Sequence, residues 1–168
     1  MHTKDKKWQT LFAAAIIALP LGLSGVSPAA AEGASEDYIV FNAPEVARDF
    51  PSTADTVVVD KRLVEQPTSG LRVERVYQTI PAHKHERSDV YNYLVSGRAK
   101  FAVGDQPAQE IGPGTTIFVK KGTVHSFPEL IEGPLVFVTI ETPPRDPSDV
   151  VFVGEGADKS FISTEQPK

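Results

Sequence analysis

The sequence contains no cysteine among its 168 residues. Disulfides, thiolate metal ligands and thiolate nucleophiles are therefore excluded, and the fold has to rest on its own hydrophobic core. Tryptophan and methionine occur once each, at Trp8 and Met1. Histidine is also scarce, since only His83, His85 and His125 lie beyond residue 2. Any imidazole site in the body of the chain must therefore draw on these three side chains.

Three of the 17 basic residues stand within the first seven positions. They precede an apolar run at 11–26 and a small-residue stretch at 27–31 that ends in Ala29-x-Ala31. This order is typical of a secretory signal peptide, and we predict that residues 1–31 are one, cleaved after Ala31. An uncleaved anchor is disfavoured because the run is shorter than the ~20 residues of a membrane span. We therefore expect a periplasmic or extracellular protein without a stable membrane anchor.

Acidic residues outnumber basic ones, 22 to 17. Cleavage after Ala31 would remove three basic residues and one acidic residue, which leaves a net charge of −7. A chain of this sign is repelled by nucleic acid and by anionic membrane surfaces. We therefore expect a small-molecule ligand or substrate as the partner, and no nucleic acid.

No stretch has a convincing helical periodicity, whereas short apolar runs separated by turn residues recur from residue 55 onward. The candidate strands are 56–59, 71–77, 90–95, 99–103, 116–119, 135–140 and 150–153. Short strands at this spacing are typical of an all-β sandwich or barrel. We predict an N-terminal arm at 32–54 with one strand at Tyr38–Phe41, a β-barrel domain at 55–145, and a C-terminal strand and tail at 146–168.

Two histidines stand one residue apart in the segment His83-Lys84-His85. Side chains at i and i+2 of a strand share one face, so an extended segment would aim both imidazoles at one point. His125 lies 40 residues downstream, at the start of another candidate strand. A β-sandwich readily brings such strands together, and imidazole suits several transition metals. The pattern predicts a metal site, although two solvated histidines on a polar loop would fit the first segment alone.

These segments resemble the two sequence motifs of the cupin superfamily. His83-x-His85 and Gly97 keep the spacing of the first motif, and Gly114, Gly122 and His125 keep that of the second. The resemblance covers roughly residues 55–145. It departs from the motifs at scaffold positions, where Tyr77 replaces a glycine, Lys120 a proline and Glu129 an asparagine.

The resemblance implies a cupin-type jelly-roll β-barrel with His83, His85 and His125 as ligands of a divalent transition metal, namely Fe, Zn, Mn, Ni or Cu. Three neutral ligands leave the full metal charge on the site, which favours a small anionic oxygenated substrate. The implied activity is that of a metal-dependent enzyme, dioxygenase-, isomerase- or lyase-like. The alternative is a non-catalytic periplasmic cupin that binds a small molecule, a sugar or a metal. Small cupins are often homodimers, and a homodimer is the assembly we expect.

The motif's glutamate ligand has no clear counterpart. Counting back from Gly97 puts Val90 in its place, whereas counting forward from His85 with the shorter gap reaches Asp89. One residue of difference changes the face of a regular strand, so a β-bulge would be needed to bring Asp89 to the site. Glu86, on the loop after His85, is a second candidate for the fourth ligand. The alternative to both a three-histidine and a four-ligand metal centre is a metal-free cupin, whose histidines are relics or polar groups that contact a sugar.

Two further residues are candidates for the pocket. Asn92 shares the face of Val90 and could donate or accept hydrogen bonds near the site, and Phe127 follows His125 by two residues and could form an apolar wall. Arg72 and Arg75 stand on opposite faces of one candidate strand. Either could bind a carboxylate at the barrel mouth, but we expect both to be solvated.

Overall fold

The computed structural model describes residues 38–154. Its first regular element is a short helix, α1 (Ala43–Arg48). The Asn42 side chain caps this helix by accepting a hydrogen bond of 3.2 Å from the Glu45 amide. The helix buries Ala43 and Ala47 against the outer apolar residues of the barrel. The prediction of a strand at Tyr38–Phe41 is therefore wrong. The helix was not predicted because its six residues are too few to display a helical period.

Eight strands follow. They are β1 (Val58–Gln66), β2 (Ser69–Val76), β3 (Ile80–His85), β4 (Asp89–Val103), β5 (Gln109–Ile111), β6 (Thr116–Val119), β7 (His125–Thr142) and β8 (Val150–Phe152), with a turn of 3₁₀ helix at Pro147–Asp149 before the last. All pairs are antiparallel. The order β1-β2-β7-β3-β8 forms one path, and β4 joins it by pairing with β5, β6 and β7. The sheet curls into the predicted jelly-roll barrel.

The two longest strands, β4 and β7, pair along most of their length and bend together. The sequence predicted two strands where β4 runs without a break, because Gly97 looked like a turn. Gly97 has a φ of +88°, and a Cβ there would stand 2.7 Å from the Leu135 side chain and 2.8 Å from the Glu132 carbonyl oxygen. Glycine thus allows the strand to bend without ending.

Successive side chains of each strand point to opposite sides of the sheet, so the barrel wall has an inner and an outer face. In β4, Val90, Asn92 and Leu94 are buried, whereas Tyr91 and Tyr93 are exposed. The inner face is apolar at one end, around Leu94, Leu135 and Phe137. It is polar at the other end, where the histidines lie. Among residues 38–154, no helix is long and apolar enough to cross a membrane.

Candidate metal centre

The three predicted histidines converge inside the barrel. His83 and His85 point inward from β3, and His125 begins β7, where it is the register partner of His83. Each of the three offers a ring nitrogen within 4.8 Å of those of the other two. The side chains are only 2–5% exposed. A β-bulge between Ile80 and His83 adjusts the pairing of β3 with β7 at this point.

Two of the three imidazoles have a hydrogen-bond acceptor at Nδ1. His83 Nδ1 lies 2.9 Å from the Pro81 carbonyl oxygen, and His125 Nδ1 lies 3.0 Å from the Thr123 carbonyl oxygen. Both contacts require a protonated Nδ1, which leaves Nε2 with a free lone pair. This arrangement, in which an outer oxygen fixes the tautomer and the other nitrogen is left for a metal, is typical of histidine ligands.

His85 has a carboxylate near its Nδ1 atom, just beyond hydrogen-bond distance. Its Nδ1 lies 3.6 Å from Asp149 Oδ2, and the other carboxylate oxygen accepts a hydrogen bond of 2.6 Å from the Arg87 amide. Asp149 is fully buried on the 3₁₀ turn, and β8 pairs with β3 immediately after it. The segment after residue 145, predicted as a strand and tail, therefore brings a side chain to the site that sequence reasoning missed.

Burial keeps the three imidazoles neutral. It lowers the pKa of His83 to about 3, with a further contribution from neighbouring His125. Burial together with the charge of Arg145 lowers the pKa of His85 to about 2, and it lowers the pKa of His125 as well. A neutral imidazole is the form that binds a metal ion. The donor set thus fits a divalent transition metal.

A cavity of about 40 Å³ adjoins the histidines. This volume has room for a few water-sized atoms. Its walls combine apolar and polar side chains, which come from β1, β2, β3, β4 and β7 and from Arg145. The lining residues are Val58, Asp60, Glu74, Ile80, His83, His85, Val90, Asn92, His125, Phe127, Thr139 and Arg145. The two predicted pocket residues, Asn92 and Phe127, are both among them.

A network of buried charges contributes Asp60, Glu74 and Arg145 to the cavity wall. Arg72 binds Asp60 and lies 2.7 Å from Glu141. Arg145 lies 2.6 Å from Glu74 and 2.8 Å from Glu141. The expectation that Arg72 is solvated is wrong, because its neighbouring strands supply carboxylates that compensate its burial. Arg75, on the opposite face of β2, donates a hydrogen bond to the Ala47 carbonyl oxygen instead.

A family model described as "Cupin domain" matches residues 74–141, the segment that contains all three histidines. The fold is that of a cupin. No curated protein matches the chain at the level of sequence.

Solved structures with this fold are similar to the protein. One is an uncharacterized conserved protein with a double-stranded β-helix domain from Klebsiella pneumoniae, with a TM-score of 0.56 and 22% identity over 66% of this chain and 89% of that one. Another is the DMSP lyase DddQ from Ruegeria pomeroyi, with a TM-score of 0.50 and 15% identity over 67% of this chain and 60% of that one. At these identities the similarities show the fold, and that fold agrees with the family match.

Val90, one of the two candidates for the position of the motif's glutamate, lies in the cavity wall. The register of β4 is regular from Asp89 to Leu94, so the bulge that would turn Asp89 inward is absent from this stretch. Asp89 instead accepts a hydrogen bond of 2.8 Å from the Lys121 amide. Glu86 is exposed and pairs with Lys84 at 2.7 Å. The structure therefore brings neither carboxylate to the histidine cluster.

Proposed function

We propose that the protein is an exported, metal-dependent cupin enzyme that acts on a small anionic oxygenated substrate through His83, His85 and His125. One observation carries the proposal: three buried, neutral imidazoles converge, two of them have an oxygen acceptor at Nδ1, and the third has the Asp149 carboxylate 3.6 Å away. A divalent transition metal bound there would supply Lewis-acid activation of a carbonyl or carboxylate oxygen. Fe, Zn, Mn, Ni and Cu all accept imidazole ligands.

The charges around the cavity favour an anion of low charge. Three carboxylates, on Asp60, Glu74 and Glu141, surround the two guanidinium groups of Arg72 and Arg145. With all five groups ionised, the network carries one negative charge. A divalent metal on neutral ligands would leave a net charge of +1, which a single negative charge on the substrate balances. Buried charges that are balanced in this way avoid a large desolvation penalty.

The size of the cavity restricts the substrate as well. About 40 Å³ admits a metal-bound group of a few atoms, and larger substrates would have to displace the surrounding walls. The proposed substrates are therefore small keto acids, hydroxy acids or diketone-like compounds, turned over by dioxygenase-, isomerase- or lyase-like chemistry.

The test is turnover by the mature chain, residues 32–168, loaded separately with Fe(II), Zn(II), Mn(II), Ni(II) and Cu(II). Each form is incubated with β-diketones, catechols, keto acids and hydroxy acids, and both oxygen uptake and product formation are followed. We expect turnover with one metal and none with the His125→Ala variant. Equal rates for the wild type and this variant would contradict the proposal.

A non-catalytic cupin is the second candidate. It is favoured by the near-complete burial of the histidines, because structural and storage sites are closed whereas catalytic ones keep an open position. A protein that binds one equivalent of metal tightly but turns over none of these substrates would fit this second function and not the first.

We also propose a homodimer. Tyr91 contacts Phe118 on the outer face of the sheet, with ring centroids 4.8 Å apart, and Ile140 is its register partner on β7. All three are 42–53% exposed. Pairing of two copies would cover this apolar surface. The mass of the mature protein in solution, measured by light scattering, tests the proposal, and a monomer at micromolar concentration would contradict it.

A further inference from the structure

Asp60 stands at the inner face of β1 and is 1% exposed. One carboxylate oxygen, Oδ2, accepts a hydrogen bond from the Arg72 guanidinium. The other, Oδ1, is buried and has no hydrogen-bond partner among the described residues. A buried carboxylate oxygen without a partner is costly and is usually explained by a ligand, a water or a functional role.

The Asp60 side chain lines the same cavity as the three histidines. Its oxygens are not among the candidate ligand atoms that lie within 4.8 Å of one another, because that group contains only the three histidines. Asp60 is therefore not placed as a fourth ligand. Asp60 thus borders the space that a metal-bound group would occupy, without being part of the donor set.

The other acidic residue of the cavity wall is held differently. Glu74, the register partner of Asp60 on β2, is paired with Arg145 at 2.6 Å. Asn92 also has its amide oxygen engaged, since it accepts a hydrogen bond of 2.8 Å from the Thr139 hydroxyl. Among the acidic residues that line the cavity, only Asp60 has a buried oxygen left without a partner.

The surroundings of Asp60 favour its protonated form more than those of a solvated aspartate. Burial raises its pKa, and the charge of Glu74 raises it further, while Arg72 and Arg145 oppose the shift. The geometry adds to this, because a carboxyl group that is anchored by Arg72 at Oδ2 and has no partner at Oδ1 suits general acid–base work.

We propose that Asp60 is the catalytic proton acceptor and donor of this cupin. The inference rests on the proposed function, since it assumes a ligand bound at the histidines. It adds a substrate class: a small compound that carries an exchangeable O–H, N–H or acidic C–H proton next to its metal-binding oxygen. In the step, the bond to that hydrogen breaks, the proton passes to Asp60 Oδ1, and the electron pair stays on the substrate. The reverse step returns the proton to the product.

The test uses acetohydroxamic acid, a small chelator that loses a proton when it binds zinc. Its binding to the zinc-loaded mature protein is measured by calorimetry near neutral pH in several buffers of different ionisation enthalpy, which gives the number of protons released to solvent. If Asp60 takes up the proton, the wild type releases close to none. Asp60→Asn should release close to one, whereas the control Asp105→Asn, on an exposed turn away from the cavity, should behave as the wild type does.

The readout distinguishes the two proposals. Failure of the wild type to bind zinc or the chelator would overturn the proposed function and this inference with it. Normal binding with release of a full proton by the wild type, or equal release by the wild type and Asp60→Asn, would overturn the role of Asp60 alone. If Asp60→Asn does not fold, Asp60→Ser replaces it, and if neither folds, the wild-type value decides.

Discussion

His83 and His125 stand directly opposite each other where β3 pairs with β7, and their ring centroids are 4.2 Å apart. Such close approach is tolerable only while both rings are neutral, or while a shared ligand offsets their charge. Burial and this contact lower the pKa of His83 to about 3.

The metal-free protein should therefore lose stability in mild acid. The unfolded chain binds protons at its histidines near the ordinary pKa of about 6.5, whereas folded His83 and His85 bind them only near 3 and 2. At pH values between the folded and the unfolded pKa, the unfolded state binds more protons than the folded state. The free energy of unfolding therefore falls as the pH falls. We expect a loss of about 1 kcal/mol per histidine between pH ~7 and ~5.5.

Urea denaturation of the chelator-treated protein at these two pH values measures this loss. The double variant His83→Gln/His85→Gln cannot titrate at these positions and should show a smaller difference between the two pH values. The same difference in the wild type and the variant would contradict the assignment.

Asp149→Asn should weaken metal binding by about 10- to 100-fold, since an outer carboxylate fixes the tautomer and orientation of its histidine. The affinity is measured by competition with a chromophoric chelator, and the unfolding midpoint of the metal-free variant is measured alongside. Asp105→Asn, on an exposed turn, is the matched control and should change neither. A loss of metal-free stability in Asp149→Asn with unchanged affinity would show that Asp149 only supports the fold.

Asp89→Asn and Glu86→Gln should leave metal affinity within about twofold of the wild type, because neither carboxylate reaches the histidines. Asp89→Asn weakens only a hydrogen bond to the Lys121 amide, which is typically about 1 kcal/mol of stability. A tenfold drop in affinity for either variant would restore that residue as a fourth ligand.

Val90→Glu should add a carboxylate ligand beside the three histidines. Val90 is 2% exposed and lines the cavity beside the histidines. An unpaired carboxylate there costs the metal-free protein a few kcal/mol, whereas the bound metal compensates that charge. We expect a lower unfolding midpoint without metal, about tenfold tighter metal binding, and a larger stabilisation by metal than in the wild type. Val90→Gln has nearly the same size without the charge, and equal behaviour of the two variants would refute a ligand role for this position.

The barrel and the shared face of His83 and His85 could be predicted because both depend on local regularities, whereas His125 was added through its place at another candidate strand and the resemblance to the cupin motifs. Glycine-punctuated apolar runs mark the strands, and the i, i+2 spacing of His83 and His85 places both on one face. Asp60, Arg72 and Asp149 could not be assigned in this way. Arg72 meets Glu141 across 69 positions of sequence, and Asp149 reaches His85 across 64. Isolated charged residues look solvated until the pairing of distant strands is known.

The most direct test of the metal centre is the metal content of the purified mature protein and of the three single variants His83→Ala, His85→Ala and His125→Ala. Inductively coupled plasma mass spectrometry after loading and gel filtration gives the metal-to-protein ratio. We predict one equivalent in the wild type and its loss in each of the three variants, because each removes one of three ligands. Full retention of metal in the variants, or no metal in the wild type, would contradict the account.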